Sequence, residues 1–242
     1  MARYDRAVTV FSPDGQLLQV QYAQEAVRKG SPVVGVRGSD AVVLATEKRT
    51  VGRLQEERTE GKIAALDEHV ALAYAGLRAD ARVLIARGQI ECQSHRLIVE
   101  DPASVEHVAR YLAALKQEHT QSNGRRPYGV SCLVGGVEYD GTPRLFQTEP
   151  SGTFYEWKAC AIGRGEKTAR ESLEKEYSAS LVDTDTGAVR LALSSLMEVV
   201  HSGQRNLDVL ILKKFQPIVS LKPEEIIPIV EEIEKNKESN NK

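Results

Sequence analysis

A chain of 242 residues with 41% apolar side chains can bury one substantial core, and a sheet-rich chain of this size forms one domain by default. Thirty-two basic against thirty-four acidic residues leave a net charge of −2 with no long block of one sign, which argues against a nucleic-acid partner. No apolar run approaches the ~18 residues of a membrane span. Cys92, Cys132 and Cys160 are odd in number and lack metal-like spacing, as in a reducing compartment. The chain reads as soluble and intracellular.

In chain order, Ser12-Pro13-Asp14-Gly15 has the composition of a type I turn. A short amphipathic helix follows, with Val20, Ala23 and Val27 on its apolar face, Tyr22 and Ala26 widening that face, and Gly30 as the stop. "PVVGVRG" and "AVVLATE" then make a hairpin around Gly38-Ser39-Asp40, and "VALAYAG" at 70–76 continues the sheet pattern after a polar connection. From Asp80 to Leu97 the residues Val83, Ala86, Ile90 and Leu97 keep a helical period. Asp101 offers an N-cap to a second helix, with Pro102 at its first position and Val105, Val108, Ala109 and Leu112 as its stripe.

Three strands follow, "GVSCLVGGVEY", "PRLFQTE" and "GTFYEW", then helices at about 166–177 and 186–201 and a strand at 208–213. A last helix starts between Lys222 and Ile229, where Pro228 interrupts the pattern, and the polar stretch from about 235 to 242 reads as a tail. This order lacks strict strand–helix alternation, which excludes a doubly wound fold. Two sheets stacked face to face, each covered outside by a helix pair, would bury every stripe. The fold class is α+β.

Among possible sites, "GRGEKTAR" at 163–170 has Glu166 where a phosphate loop needs glycine, so it reads as a strand-to-helix turn. His69, His95, His107, His119 and His201 are scattered and imply no metal site. Arg125-Arg126 before Pro127 reads as a solvated loop rather than an address signal. The enzymatic candidate is Ser31, with Glu47 and Lys62 on adjacent strands. It would require cleavage after Gly30, because only a free α-amine, with a pKa of ~7.7 to 8.0, could act as base. Pro32 makes that junction awkward. Retention of the preceding helix is favoured, since burial of Val20, Tyr22 and Val27 offsets its ordering cost.

The segment "YDRAVTVFSPDGQLLQVQYAQEAVRKG" resembles the N-terminal signature of proteasome α subunits, and the likeness continues through "GLRADARVL", "ECQSHRLIVEDP", "HTQSNGRRPYG", "PSGT" and "AIGRG". "ECQSHRL" and "TQSNGRRP" most resemble the type-7 branch. The resemblance implies a four-layer αββα sandwich of the N-terminal nucleophile hydrolase kind, in a seven-membered α ring capping a β ring of the 20S core. It implies a non-catalytic subunit in ubiquitin-dependent protein degradation, with residues 1–30 kept as gate tail and helix. Neighbouring α subunits, β-ring subunits and a regulatory ATPase particle or other activators are the implied partners. The implied location is cytoplasm and nucleus, with no cofactor, no metal and no membrane. Tyr4, Asp5, Pro13 and Tyr22 match the gate cluster of that family. Lys62 matches the lysine that receives the C-terminal carboxylate of an activator, assisted by the loop around Gly76. Gln21 replaces the family's glutamate and Pro32 its threonine. A self-processing hydrolase using Ser31 and a free-standing adaptor are the alternatives.

Overall fold

The computed structural model describes residues 6–48, 54, 56, 61–200 and 207–240. Tyr4, Asp5 and His201 lie outside them. The first helix, α1 (Leu18–Arg28), buries Val20, Ala23 and Val27 as the spacing predicts, but Tyr22 stays 49% exposed. It sits two residues from Val20, off the 3.6-residue stripe, so helix geometry turns it outward.

One sheet has the order β10-β9-β2-β1-β8, built from β1 (Val33–Arg37), β2 (Ala41–Glu47), β8 (Ala159–Ile162), β9 (Leu207–Lys213) and β10 (Val219–Ser220). The other has the order β3-β4-β5-β6-β7, from β3 (Ile63–Ala65), β4 (Val70–Gly76), β5 (Val130–Val137), β6 (Pro143–Thr148) and β7 (Phe154–Glu156). All pairings are antiparallel. Three strands escape the sequence reading, β3, β8 and β10, all short and all at sheet edges. Short edge strands carry too little alternation to stand out.

Between the sheets lie Val42, Leu44, Leu133, Leu145 and Leu212, joined by Val27 of α1. The outer face of the first sheet packs on α4 (Glu166–Glu176), α5 (Asp185–Met197) and α6 (Pro223–Asn240). The outer face of the second packs on α2 (Arg78–Val99) and α3 (Val105–Gln121). These are the four layers of an αββα sandwich. The α6 backbone stays helical past Pro228 and to Asn240, into the stretch that composition assigns to a tail.

Two helix assignments are corrected. In α2 the buried residues are Asp80, Ala81, Leu84, Gly88 and Cys92, whereas Ala86 is exposed and Val83, Ile90 and Leu97 are 47%, 62% and 83% exposed. Both stripes have helical period. Gly88 decides between them, because its bare backbone admits the Leu66 side chain at 3.2 Å from where a Cβ would stand. In α3 the cap is Ser104, whose hydroxyl accepts from the His107 amide at 3.1 Å, and not Asp101. The Ala103 carbonyl is engaged by the His69 ring at 2.7 Å, which leaves the 101–103 stretch outside the helix.

Candidate functional site

The end of the sandwich beside α1 collects most of the residues singled out by sequence. The turn before α1 forms as expected. The Gly15 amide donates to the Ser12 carbonyl at 2.9 Å and the Ser12 amide to the Gln16 carbonyl at 2.9 Å. Gln21 then holds the turn against the helix, donating from its side-chain amide to Gln16 Oε1 at 2.7 Å. Pro13 is exposed at the tip of this turn. Val10, Phe11 and Tyr22 add exposed apolar surface at 41%, 63% and 49%.

The helix stops where its backbone meets β4. A Cβ on Gly30 would clash with the Gly76 amide, and one on Gly76, at φ +118°, would strike the Gly129 carbonyl oxygen. Three backbone segments therefore touch with no side chains between them. Gly129 is held there by Leu77, whose amide donates to its carbonyl at 2.9 Å, and by Asp80, which accepts from its amide at 3.0 Å.

Asp80 is 6% exposed and takes both arms of Arg126, at 2.6 and 2.7 Å. Burial by itself pushes this carboxyl up, but the hydrogen bonds from Arg126 and Gly129 outweigh it and hold the group below the ordinary aspartate range. Arg125 pairs with Glu118 at 2.5 Å. The dibasic segment is a loop, as read, but Arg126 is not merely solvated: it clamps Asp80 and so positions Gly129. Arg126→Ala is expected to cost about 2 kcal/mol at neutral pH by leaving a buried carboxylate short of donors. Asp80 titrates lower in the folded chain than its unfolded value of ~3.9, so the pair's contribution is complete above that pH and lost below it. Urea titrations of both proteins should therefore converge as the pH falls through the folded value.

The candidate nucleophile set is divided between the two sheets. Ser31 leads into β1 and Glu47 ends β2, neighbouring strands of one sheet, with the Glu47 amide donating to the Pro32 carbonyl at 3.3 Å. Lys62 leads into β3, the edge of the other sheet, and is not on an adjacent strand. Glu47, 13% exposed at its side chain, pairs with Arg164 at 3.1 Å. A guanidinium keeps its proton at any physiological pH, so Arg164 cannot serve as the base. The Arg164 amide also donates to the Gly30 carbonyl at 2.9 Å. Gly163 stands so near Ser31 that a Cβ there would lie 2.6 Å from its carbonyl oxygen. The glycines of "GRGEK" thus serve a close backbone approach and the start of α4, where Gly165 is the N-cap residue.

Lys62 and Gly76 lie toward the same end of β4. The Tyr74 amide donates to the Lys62 carbonyl at 3.3 Å, which puts Lys62 at the end of β4 that carries Gly76. Lys62 is half-buried. Sequence reasoning passes over Arg164, Asp80 and Lys116. Only Lys116 carries a sequence signal, since it falls one turn beyond Leu112 on the apolar stripe of α3. Among the described residues no group of three or more His, Cys, Asp or Glu could hold a metal ion, and no helix is long and apolar enough to cross a membrane.

Comparison with known proteins bears on this geometry. The family model for proteasome subunits matches residues 27–212, and the model for the N-terminal signature of A-type proteasome subunits matches residues 4–26. The chain is 60% identical over 237 residues to proteasome subunit alpha type-7-1 of Drosophila virilis, covering 98% of this chain and 95% of that protein. It is 56% identical to proteasome subunit alpha type-8 of Mus musculus, over 100% of this chain and 96% of that protein. Its identity to proteasome subunit alpha type-7-like of Macaca fascicularis is 56%, over 98% of this chain and 95% of that protein. With an α-type signature and a match along nearly the whole chain, the chain belongs to the proteasome subunit family, among its α-type members.

Proposed function

We propose that this subunit takes one place in a seven-membered α ring, helps to gate substrate access through that ring, and receives the C-terminal carboxylate of an activator at Lys62. As an α-type proteasome subunit it is a structural, non-catalytic component of the 20S outer ring, and it assembles with other proteasome subunits. The observation that carries the finer reading is that Gly30 meets Gly76 while the Lys62 carbonyl accepts from the Tyr74 amide, two residues away on the same strand. There α1 is built into the inter-sheet core through Val27, while Tyr22 and the Pro13 turn face outward, as contacts to a neighbouring subunit require. The exposed α2 stripe of Val83, Ile90 and Leu97 supplies further apolar surface for subunit contacts. Residence in the cytoplasm and nucleus is supported by three cysteines that are all free and buried.

A lysine–carboxylate contact at ~4 Å is worth roughly 1 kcal/mol in water and about 4 kcal/mol at an effective dielectric of ~20. A half-buried lysine falls between these limits. Lys62→Ala in assembled particles is therefore expected to weaken binding of an activator's C-terminal peptide by about tenfold. Unchanged peptide affinity, measured with the neighbouring pockets blocked, would refute the assignment.

A further inference from the structure

The core face of α3 runs through Val105, Val108, Ala109, Leu112 and Ala113, and its next residue is Lys116, whose side chain is completely enclosed. Burial pushes this amine below the ordinary lysine range, toward its neutral form. What it meets is set by sheet register. Cys132 of β5 and Thr148 of β6 are direct partners across the ladder, so both side chains leave the same face of the sheet. Lys116 Nζ lies 2.8 Å from Thr148 Oγ1, 3.1 Å from the Thr148 carbonyl oxygen and 3.5 Å from Cys132 Sγ. An amine and a thiol are thus held side by side, both shut off from solvent.

We infer that Lys116 and Cys132 form an oxidation-dependent covalent cross-link, a sulfenamide joining Nζ to Sγ, with hydrogen peroxide as the oxidant. The thiol proton first passes to the amine, leaving a thiolate beside an ammonium. The thiolate sulfur attacks one peroxide oxygen, so that an S–O bond forms and the O–O bond breaks. Sulfur is oxidised by two electrons to the sulfenic acid, the peroxide is reduced, and the departing hydroxide takes the extra proton from the ammonium as water. The neutral amine then gives its lone pair to sulfur. The S–N bond forms, the S–O bond breaks, and the hydroxyl leaves with a proton from nitrogen as a second water. One thiol, one amine and one peroxide yield one S–N bond and two waters.

Enclosure favours this outcome over the usual ones. Peroxide is close to water in size and reaches buried groups through local openings, whereas glutathione is too bulky to follow. The sulfenic acid therefore meets Lys116 before any other thiol. Cys160 is a built-in contrast: its Sγ faces Gln147 Oε1 at 3.1 Å and Arg170 at 3.7 Å, with burial pushing its thiol up to about 12. A guanidinium is no substitute for an amine nucleophile.

The test treats particles containing the full chain with hydrogen peroxide under native conditions, blocks free thiols, and maps peptides by mass spectrometry without reduction. The expected product joins the peptides bearing Lys116 and Cys132, is lighter than their sum by two hydrogen atoms, and separates again in dithiothreitol. Cys132→Ala abolishes it, and Lys116→Met converts it to unlinked sulfinic acid at Cys132. Recovery of parental Cys132 as a free thiol, an unlinked sulfinic acid or a disulfide overturns the inference, as does a cross-link that retains oxygen. The parental measurement decides the matter even if Lys116→Met does not fold.

Discussion

Gly76→Ala is expected to destabilise the chain by about 2 to 6 kcal/mol, the sum of a strained backbone and an overpacked contact at ~1–3 kcal/mol each. The residue lies at φ +118°, where L side chains rarely sit, and the Cβ would be aimed at a backbone oxygen of Gly129 that cannot rotate away. Relief requires β4 and β5 to separate at the end where α1 docks, so the helix should loosen with the strands. Gly15→Ala is the matched control. Its φ is +74° and no atom lies within 4 Å of the new Cβ, so only the backbone cost of about 1–2 kcal/mol applies. Urea unfolding of both variants checks the difference. Equal stability of the two would show that the meeting of Gly30, Gly76 and Gly129 constrains nothing.

Lys116 gives the second large effect, and its sign depends on the replacement. Lys116→Ala opens a cavity under α3 and strips Thr148 of a donor, for an expected loss of about 3 kcal/mol. Lys116→Met fills the same space without a charge to desolvate, so it should equal or exceed the parent in stability at neutral pH. The pH dependence separates the causes. The folded lysine titrates below its unfolded value of ~10.4, so between the two values the unfolded chain binds more protons. Stability of the parent relative to the methionine variant therefore rises with pH through that window. Denaturation of both proteins at several alkaline pH values should show the gap closing toward ~10.4. A methionine variant weaker than the parent by several kcal/mol, or a gap independent of pH, contradicts this account.

Much of the architecture was legible from local chemistry. The Ser12–Gly15 turn, the Val20–Ala23–Val27 stripe, the hairpin of β1 and β2 and the breaks at Gly141 and Gly152 each depend on residues a few positions apart. Where local signals competed, they misled. Asp101-Pro102 is a good helix start by composition, yet His69 engages the Ala103 carbonyl and the helix begins at Ser104 instead. The α2 stripe that reads most clearly as core is the one left exposed on this chain.

The site shows the same division. The chain itself specifies an α-type signature, an odd serine–proline junction and a lysine and a carboxylate at suggestive spacing, because those are matters of residue identity. Only the tertiary structure decides that Glu47 faces Arg164, that Lys62 belongs to the opposite sheet and bonds to Tyr74, and that Lys116 lies against Cys132. Those pairings join residues far apart along the chain, and strand order and register set them once the sheets stack. Spacing along a chain limits which side chains can share a face; which face then meets which is settled by packing in three dimensions.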